Sequence, residues 1–362
     1  MSSALIIERS AQRFDRERWL ALWRNLLGTR LNAAITLGLV AFVIWAFPPL
    51  WRWAVVDAIW NGNASECAGS SGACWGFIGE KFRFILFGFY PPPLQGRALA
   101  ALLLMFGLVI IAAMPRFWGR TLGVVWIGGL AATILLMVGW PFGEPTPTDK
   151  WGGLPVTMLL SIGAFVGAFP LAILLALARR SSMGGLRLLA IAFIEVLRGV
   201  PFIAVLYAAT LLFPLMLPSG SAIDKFLRAE VALILFVAAY LAEIVRAGLQ
   251  AVPNGQYEAA RSLGLSYWRT MRLVILPQAL RVVIPAIVNL AIGIFQDTTL
   301  VIIIGMFDFL NTARVAATDP NWLGFYNEAY MFVALVYFFL CFCASKYSLW
   351  LEARLRQVRK QG

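Results

Sequence analysis

The sequence contains no histidine and only four cysteines among its 362 residues. Histidine is the usual general base and a common metal ligand, so its absence argues against a histidine-dependent enzyme and against a metal site. The chain also lacks the G-x-x-x-x-G-K-[ST] loop that holds nucleotide phosphates. We therefore expect no enzymatic activity and no cofactor on this chain, and we expect any ATP hydrolysis that it uses on another polypeptide.

Charged residues are scarce as well, at 13% of the chain, whereas hydrophobic residues make up 61%. This balance predicts an all-α polytopic membrane protein, because the apolar runs lack the alternation of a β-barrel. About 20 apolar residues cross a bilayer as a helix. Eight spans are predicted, at residues 33–52, 98–114, 121–142, 154–178, 199–217, 228–246, 281–305 and 329–350.

The formal net charge of +12 is unevenly placed along the chain. Lysine and arginine cluster before the first span, after the second, fourth and sixth spans, and after the eighth. With eight spans, all of these segments fall on one side, which is the positive-inside pattern. The charge therefore predicts membrane topology rather than nucleic-acid binding, with both termini in the cytoplasm.

Residues 1–32 form a basic segment without the cleavage pattern of a signal peptide. One helical face combines the apolar residues Trp19, Leu20, Trp23, Leu26 and Leu27, opposite Arg16, Arg18 and Arg24. This arrangement predicts a cytoplasmic amphipathic helix in the lipid headgroup region. A solvated arm is the alternative.

The cysteines fall into two pairs. Cys67 and Cys74 lie in the predicted outer segment between the first two spans, where an oxidising compartment would permit either a disulfide or two unpaired thiols. Cys341 and Cys343 lie inside the last span and are interpreted as packing residues.

Two segments repeat a Glu-x-x-Arg pattern at predicted cytoplasmic ends of spans. Glu195 with Arg198, and Glu243 with Arg246, are spaced so that each acid and base can pair along a helix. Such pairs either fix the span ends and the inner surface of the bundle, or form a gate or part of a permeation path.

A polar cluster, Gln296-Asp297-Thr298-Thr299, lies inside the seventh predicted span. Asp297 is roughly 24 Å along the helix from Arg281, in the outer half of the bilayer. An ionisable group at this depth is expected to face the bundle interior or a water-filled cavity. Asp297 is equally compatible with binding a polar substrate and with contacting a neighbouring helix end.

A long polar loop, residues 247–280, separates the sixth and seventh spans. A short helix is predicted from Gln256 to Leu263, ending at Gly264, because glycine suits a left-handed helix end. A second helix is predicted to begin after Ser266 and to be broken by Pro277. The small residues Ala259 and Ala260 beside Glu258 favour a docking surface over a catalytic one.

These loop residues carry a family resemblance. Glu258-Ala259-Ala260, followed by Gly264 and then by Leu276-Pro277, resembles the cytoplasmic coupling loop of binding-protein-dependent ABC importer permeases. The flanking segments resemble the polar amino-acid branch: Glu195 to Pro201, Arg246-Ala247-Gly248, Gly255-Gln256, Leu276 to Leu280, and Asp297 to Leu300. Gln296 stands where this branch usually has lysine, so no role of that cation is carried over.

The resemblance covers about residues 154–355 and implies a type I importer core of five helices. Residues 33–153 form a three-helix N-terminal extension, which resembles the larger permease subunit of general L-amino-acid transporters. The boundary is placed in the Gly- and Pro-rich link that precedes residue 154.

The function implied is that of a permease subunit in an ATP-driven importer of polar L-amino acids in the bacterial inner membrane. The implied partners are an ABC ATPase dimer that holds ATP and magnesium, a related shorter permease, a periplasmic amino-acid-binding protein and membrane lipid. The alternatives are an ion-coupled secondary carrier that uses Asp297 as its ion site, and a membrane scaffold or receptor. The resemblance implies that the ATPase couples through Glu258, Ala259, Ala260, Gly264, Leu276 and Pro277.

Overall fold

A computed structural model of the protein describes residues 23–141, 143–216 and 223–361, and most of these residues are helical. The helices are α1 (Arg30–Trp51), α2 (Ala64–Cys67), α3 (Trp75–Phe87), α4 (Gln95–Ala113), α5 (Arg120–Val138), α6 (Gly153–Arg179), α7 (Gly184–Gly199), α8 (Phe202–Tyr207), α9 (Phe213–Leu215), α10 (Lys225–Ala251), α11 (Asn254–Ser262), α12 (Tyr267–Thr270), α13 (Leu276–Asp297), α14 (Phe309–Ala316) and α15 (Tyr326–Gln361). A single short strand, β1 (Phe307–Asp308), is described.

Within the described residues, seven helical segments are long and apolar enough to cross a membrane. They are Arg30–Val56, Pro92–Ala113, Thr121–Val138, Gly153–Arg179, Lys225–Ala251, Tyr267–Ile304 and Tyr326–Arg354. These segments confirm all of the predicted spans except the fifth.

The predicted fifth span, residues 199–217, has wrong bounds. The structure instead has a bent pair of helices there, in which Gly184–Gly199 and Phe202–Leu212 meet at 107°. The break lies at Val200, whose φ of −104° and ψ of 134° are extended. Proline disfavours the helical conformation of the residue before it, so Pro201 accounts for the extended conformation of Val200 at the bend. The predicted count of eight holds when this bent pair is counted as one span.

The chain forms two compact units, Met1–Gly79 and Glu80–Gly362. In the first unit, Cys67 and Cys74 are joined by a disulfide, with Cα atoms 5.7 Å apart. Trp75 Nε1 donates to the Ala54 carbonyl at 2.8 Å. The predicted amphipathic helix falls largely on residues 1–22, which lie outside the described part of the chain.

In the second unit, α6 packs along α10 through two glycines. Gly163 lies against Glu230, and a Cβ on Gly167 would approach Ile234 Cδ1 to 2.7 Å. Small residues four apart let two helices come close. The close approach supports the most extensive helix–helix contact in the described part of the chain.

The C-terminal parts of α6, α7 and α10 meet the start of α13 in a buried apolar cluster. It includes Ala176, Ile194 and Leu249, and also Ile275 from the turn that precedes α13. The loop between α10 and α13 is attached to this cluster, so its position is set by the membrane helices. At the other end of the unit, β1 pairs in parallel with Gly152 and Gly153. The division of the chain into residues 33–153 and 154–355 stays a prediction.

Candidate functional site

The loop between α10 and α13 contains the predicted short helix. Helix α11 runs over Asn254–Ser262, and Gly264 adopts a left-handed φ of +70°. The Leu265 N–H donates to the Ala260 carbonyl at 3.1 Å, which closes the helix end. The predicted helix termination at Gly264 is confirmed, and its cause is the conformational freedom of glycine.

The predicted break at Pro277 is wrong. Helix α12 begins after Ser266, passes through a π-helical turn at Met271–Ile275, and continues into α13. The Leu276 N–H donates five residues back, to the Met271 carbonyl. The wider turn accommodates the proline ring, and Pro277 needs no donor in the first turn of α13. One helical segment therefore runs from Tyr267 to Ile304.

The outer face of α11 is exposed. Glu258, Ala259 and Gly264 are solvent-accessible, and Leu263 at the helix end is 79% exposed. Ala260, in contrast, is only 2% exposed and is packed inside the chain. The predicted docking surface therefore keeps Ala259 but not Ala260.

Hydrogen bonds attach α11 to the ends of α6, α10 and α13. Gln278 Nε2 of α13 donates to Gln256 Oε1 at 2.9 Å. The Tyr257 hydroxyl donates to the Leu249 carbonyl at 3.1 Å and accepts from Arg180 Nη1 at 3.2 Å. Leu276 is partly buried beneath the loop and Pro277 is exposed. Helix α11 thus contacts the ends of α6, α10 and α13.

Behind this loop, Arg179 joins three helices. Its Nη1 lies 2.7 Å from Glu243 Oε1 of α10 and 2.9 Å from Glu195 Oε1 of α7. Glu243 Oε2 also pairs with Arg246 Nη2 at 2.8 Å, as its spacing predicts. Sequence reasoning assigned Arg179 only to the topology signal and missed this bridge.

The predicted pairing of Glu195 with Arg198 is wrong. The Arg198 guanidinium lies over the Tyr240 ring, 5.6 Å from its centroid. Glu195 instead meets Arg179, because α6 and α7 end side by side and bring a cation from another helix closer. No single-helix spacing reveals such a contact.

The polar cluster at residues 296–299 does not converge on one point. Gln296 Nε2 donates to Cys341 Sγ at 3.7 Å. The hydroxyls of Thr298 and Thr299 donate to carbonyls of their own helix. Asp297 is half-buried, and no lysine or arginine among the described residues lies within ion-pair distance of it.

Asp308 is a buried acid that sequence reasoning missed. It caps α14 by accepting from the Leu310 N–H at 3.1 Å and the Asn311 N–H at 3.2 Å. Burial raises the pKa of the Asp308 carboxyl, and these hydrogen bonds only partly oppose the shift. An aspartate that directly precedes a helix is a sequence signal for such a cap.

Metal ligands are not gathered anywhere in the described part of the chain, where no three histidine, cysteine or acidic residues are grouped to hold an ion. The free Cys341 is partly buried and Cys343 is exposed. The site thus combines the exposed helix α11, a partly buried charge network behind it and the membrane-spanning helices that join the two.

Comparison with known proteins gives the family. The profile of the family "Binding-protein-dependent transport system inner membrane component" matches residues 168–357. The inner membrane amino-acid ABC transporter permease protein YhdY of Escherichia coli (strain K12) is 45% identical over 93% of this chain and 92% of its own. The glutamate/glutamine/aspartate/asparagine transport system permease protein BztC of Rhodobacter capsulatus is 36% identical over 94% of each chain.

A solved structure, the crystal structure of an amino acid ABC transporter with histidines, is 34% identical and covers 56% of this chain and 92% of that chain, with a TM-score of 0.49. The family profile covers the helices that carry α11 and the Arg179 network. YhdY and BztC align over nearly the whole chain, including the segment before residue 168. The chain therefore belongs to the binding-protein-dependent transport system inner membrane components, among the amino-acid ABC transporter permeases.

Proposed function

We propose that this chain is the permease subunit of an importer that carries polar L-amino acids into the cell with energy from ATP. The names of its relatives support the substrate class. The single observation that carries the coupling is the exposed α11, which is held from inside by three membrane helices. ATP and magnesium would bind to a separate ATPase dimer, which docks on α11 from the cytoplasm.

In this proposal the docking surface consists of Glu258, Ala259, Leu263 and the turn at Gly264. Ala259 lets a partner backbone approach closely, and Glu258 supplies a charge that can be paired. The hydrogen bond between Gln256 and Gln278 would transmit the displacement of α11 to α13. Docking can shift the permease only as far as the ATPase binds its two conformations differently.

The Arg179 network is proposed as the inner gate. Arg179, Glu195 and Glu243 tie the cytoplasmic ends of α6, α7 and α10 together in the conformation described. Separation of these ends would expose the charges to water, where each is readily solvated. Asp297 and Gln296 are proposed to line the substrate path farther along α13.

The remaining partners follow from the family. A related shorter permease would complete the membrane channel, and an external amino-acid-binding protein would deliver the substrate. Both termini are proposed to lie in the cytoplasm, which places α11 and the basic segments on the ATPase side.

The coupling proposal is tested at Gly264, whose added Cβ would meet no atom within 4 Å but whose φ is left-handed. Valine strains this conformation, whereas asparagine tolerates it. Gly264→Val is expected to insert normally, and in proteoliposomes that also contain the ATPase it should leave ATP hydrolysis without matching amino-acid uptake. Gly264→Asn is the matched control and should retain coupled uptake.

Coupled uptake by both variants would contradict the docking role of this turn. An ionophore, added to cells whose ATP level is intact, distinguishes ATP-driven transport from an ion-coupled carrier. Uptake that collapses under that treatment would refute ATP-driven transport.

A further inference from the structure

A cleft between α6 and α7 is not used by the coupling proposal. It has a volume of about 900 Å³ and is lined mainly by apolar side chains, with Tyr267 and Trp268 also in its lining. Along α6 it extends from Leu171 to Arg180, which is about 14 Å of helix rise. That length is about half of a bilayer hydrocarbon core of about 30 Å, so the cleft has the depth of one leaflet.

The walls of the cleft are apolar and open to the side. Leu174 is 58% exposed and Leu189 is 71% exposed, on α6 and α7 respectively. Leu235 of α10 contributes to the lining. A hydrocarbon chain laid between α6 and α7 would cover these side chains.

The mouth of the cleft is polar and cationic. Arg180, Ser181 and Ser182 lie there, in the turn that ends α6. The exposed rings of Tyr267 and Trp268 mark the depth at which aromatic residues meet lipid headgroups. The order from apolar floor to cationic mouth matches the order within a phospholipid molecule.

The Arg180 guanidinium has N–H donors beyond the one that binds Tyr257. Its guanidinium donates to the Tyr257 hydroxyl and lies over the Tyr257 ring. Among the described residues, no carboxylate lies within ion-pair distance of it. Arginine carries five N–H donors, so a phosphate can be bound while the Tyr257 contact is kept.

We propose that the cleft between α6 and α7 binds an anionic phospholipid, with one acyl chain between the helices and its phosphate on Arg180. The uncompensated cation favours an anionic lipid over a zwitterionic one. The inference does not depend on the transported substrate or on ATP coupling.

The test uses the full-length chain in phosphatidylcholine nanodiscs that contain a small fraction of phosphatidylglycerol with a photoactivatable acyl chain. Crosslinks are mapped by mass spectrometry and are expected on α6 from Leu171 to Arg180 and on α7. Arg180→Gln should lower this labelling about tenfold, which is the effect of losing one charged hydrogen bond. Arg180→Lys should retain most of the labelling and shows that the site remains folded.

Arg187→Gln is the matched control, because Arg187 is an exposed cation on α7 that does not line the cleft. It should leave the labelling unchanged. A phosphatidylcholine probe should label the cleft less than the phosphatidylglycerol probe, and inorganic phosphate should not compete.

Several results would overturn the proposal. Equal labelling of native chain and Arg180→Gln would exclude the phosphate contact, and equal labelling by both lipids would exclude anionic selectivity. Competition by inorganic phosphate would mean that Arg180 binds a free anion instead of a lipid. Loss of labelling when the chain is assembled with its second permease would mean that a protein covers the cleft.

Discussion

The Arg179 bridge predicts a specific ranking of pairwise interaction energies. In the native chain, Arg179 contacts Glu243, whose side chain is 15% exposed, and Glu195, whose side chain is 53% exposed. A charged hydrogen bond shielded from water contributes about 2 kcal/mol. An exposed ion pair contributes about 0.5 kcal/mol, because water screens it.

Double-mutant cycles separate these energies. We expect a coupling of about 2 kcal/mol between Arg179→Gln and Glu243→Gln. Between Arg179→Gln and Glu195→Gln we expect about 0.5 kcal/mol. The pair Glu195→Gln and Arg198→Gln should show no coupling, since Arg198 lies over Tyr240 instead.

The assay is denaturant unfolding of the purified chain, with the free energy taken from midpoint and slope. In the single variant Arg179→Gln, Glu243 keeps Arg246 as its partner, so this variant should stay folded. Arg187→Gln reports the effect of removing an exposed cation from the same region. A coupling between Glu195 and Arg198 larger than that between Glu195 and Arg179 would refute the structural assignment.

Two further predictions concern packing and pH. Gly248→Ala should lower the free energy of unfolding by about 1 kcal/mol or more, because its Cβ would lie 2.6 Å from the Ala279 carbonyl oxygen. Thermal unfolding measures this change. Gly255→Ala in α11, where nothing lies within 4 Å, is the control and should be neutral or slightly stabilising, because alanine favours a helix more than glycine does. The raised pKa of Asp308 means that the folded chain binds this proton more tightly than the unfolded chain, so stability should fall as pH rises from about 4 through the raised value; unfolding measured against pH should lose this component in Asp308→Asn, and an unchanged pH profile would contradict it.

Much of the fold was predictable because membrane spans are long and locally encoded. Seven spans were found from apolar runs, since a bilayer requires continuous helices of fixed length. The helix end at Gly264 was also predictable, because a left-handed residue is a local requirement. Both features depend on neighbouring residues only.

The errors arose where distant elements meet. The pairing of Glu195 depends on Arg179, which is on another helix. A helix is broken before Pro201, whereas a continuous helical segment passes through Pro277. The same residue type therefore has opposite effects on a helix at these two positions. Val200 takes up an extended conformation before Pro201, whereas a π-helical turn precedes Pro277. Sequence alone does not indicate which of these adjustments the surrounding packing permits.

The continuity at Pro277 bears on how motion of α11 would cross the membrane under the coupling proposal. Pulling α11 away from α6 breaks one hydrogen bond, from Arg180 to Tyr257, while Arg179 stays held by two carboxylates. Helix α6 should therefore resist the pull. The segment Tyr267–Ile304 begins three residues after Gly264 and is unbroken, so its backbone must follow α11. The segment rises by about 45 Å from Tyr267 to Asp297. It therefore connects α11 directly with the polar cluster at residues 296–299.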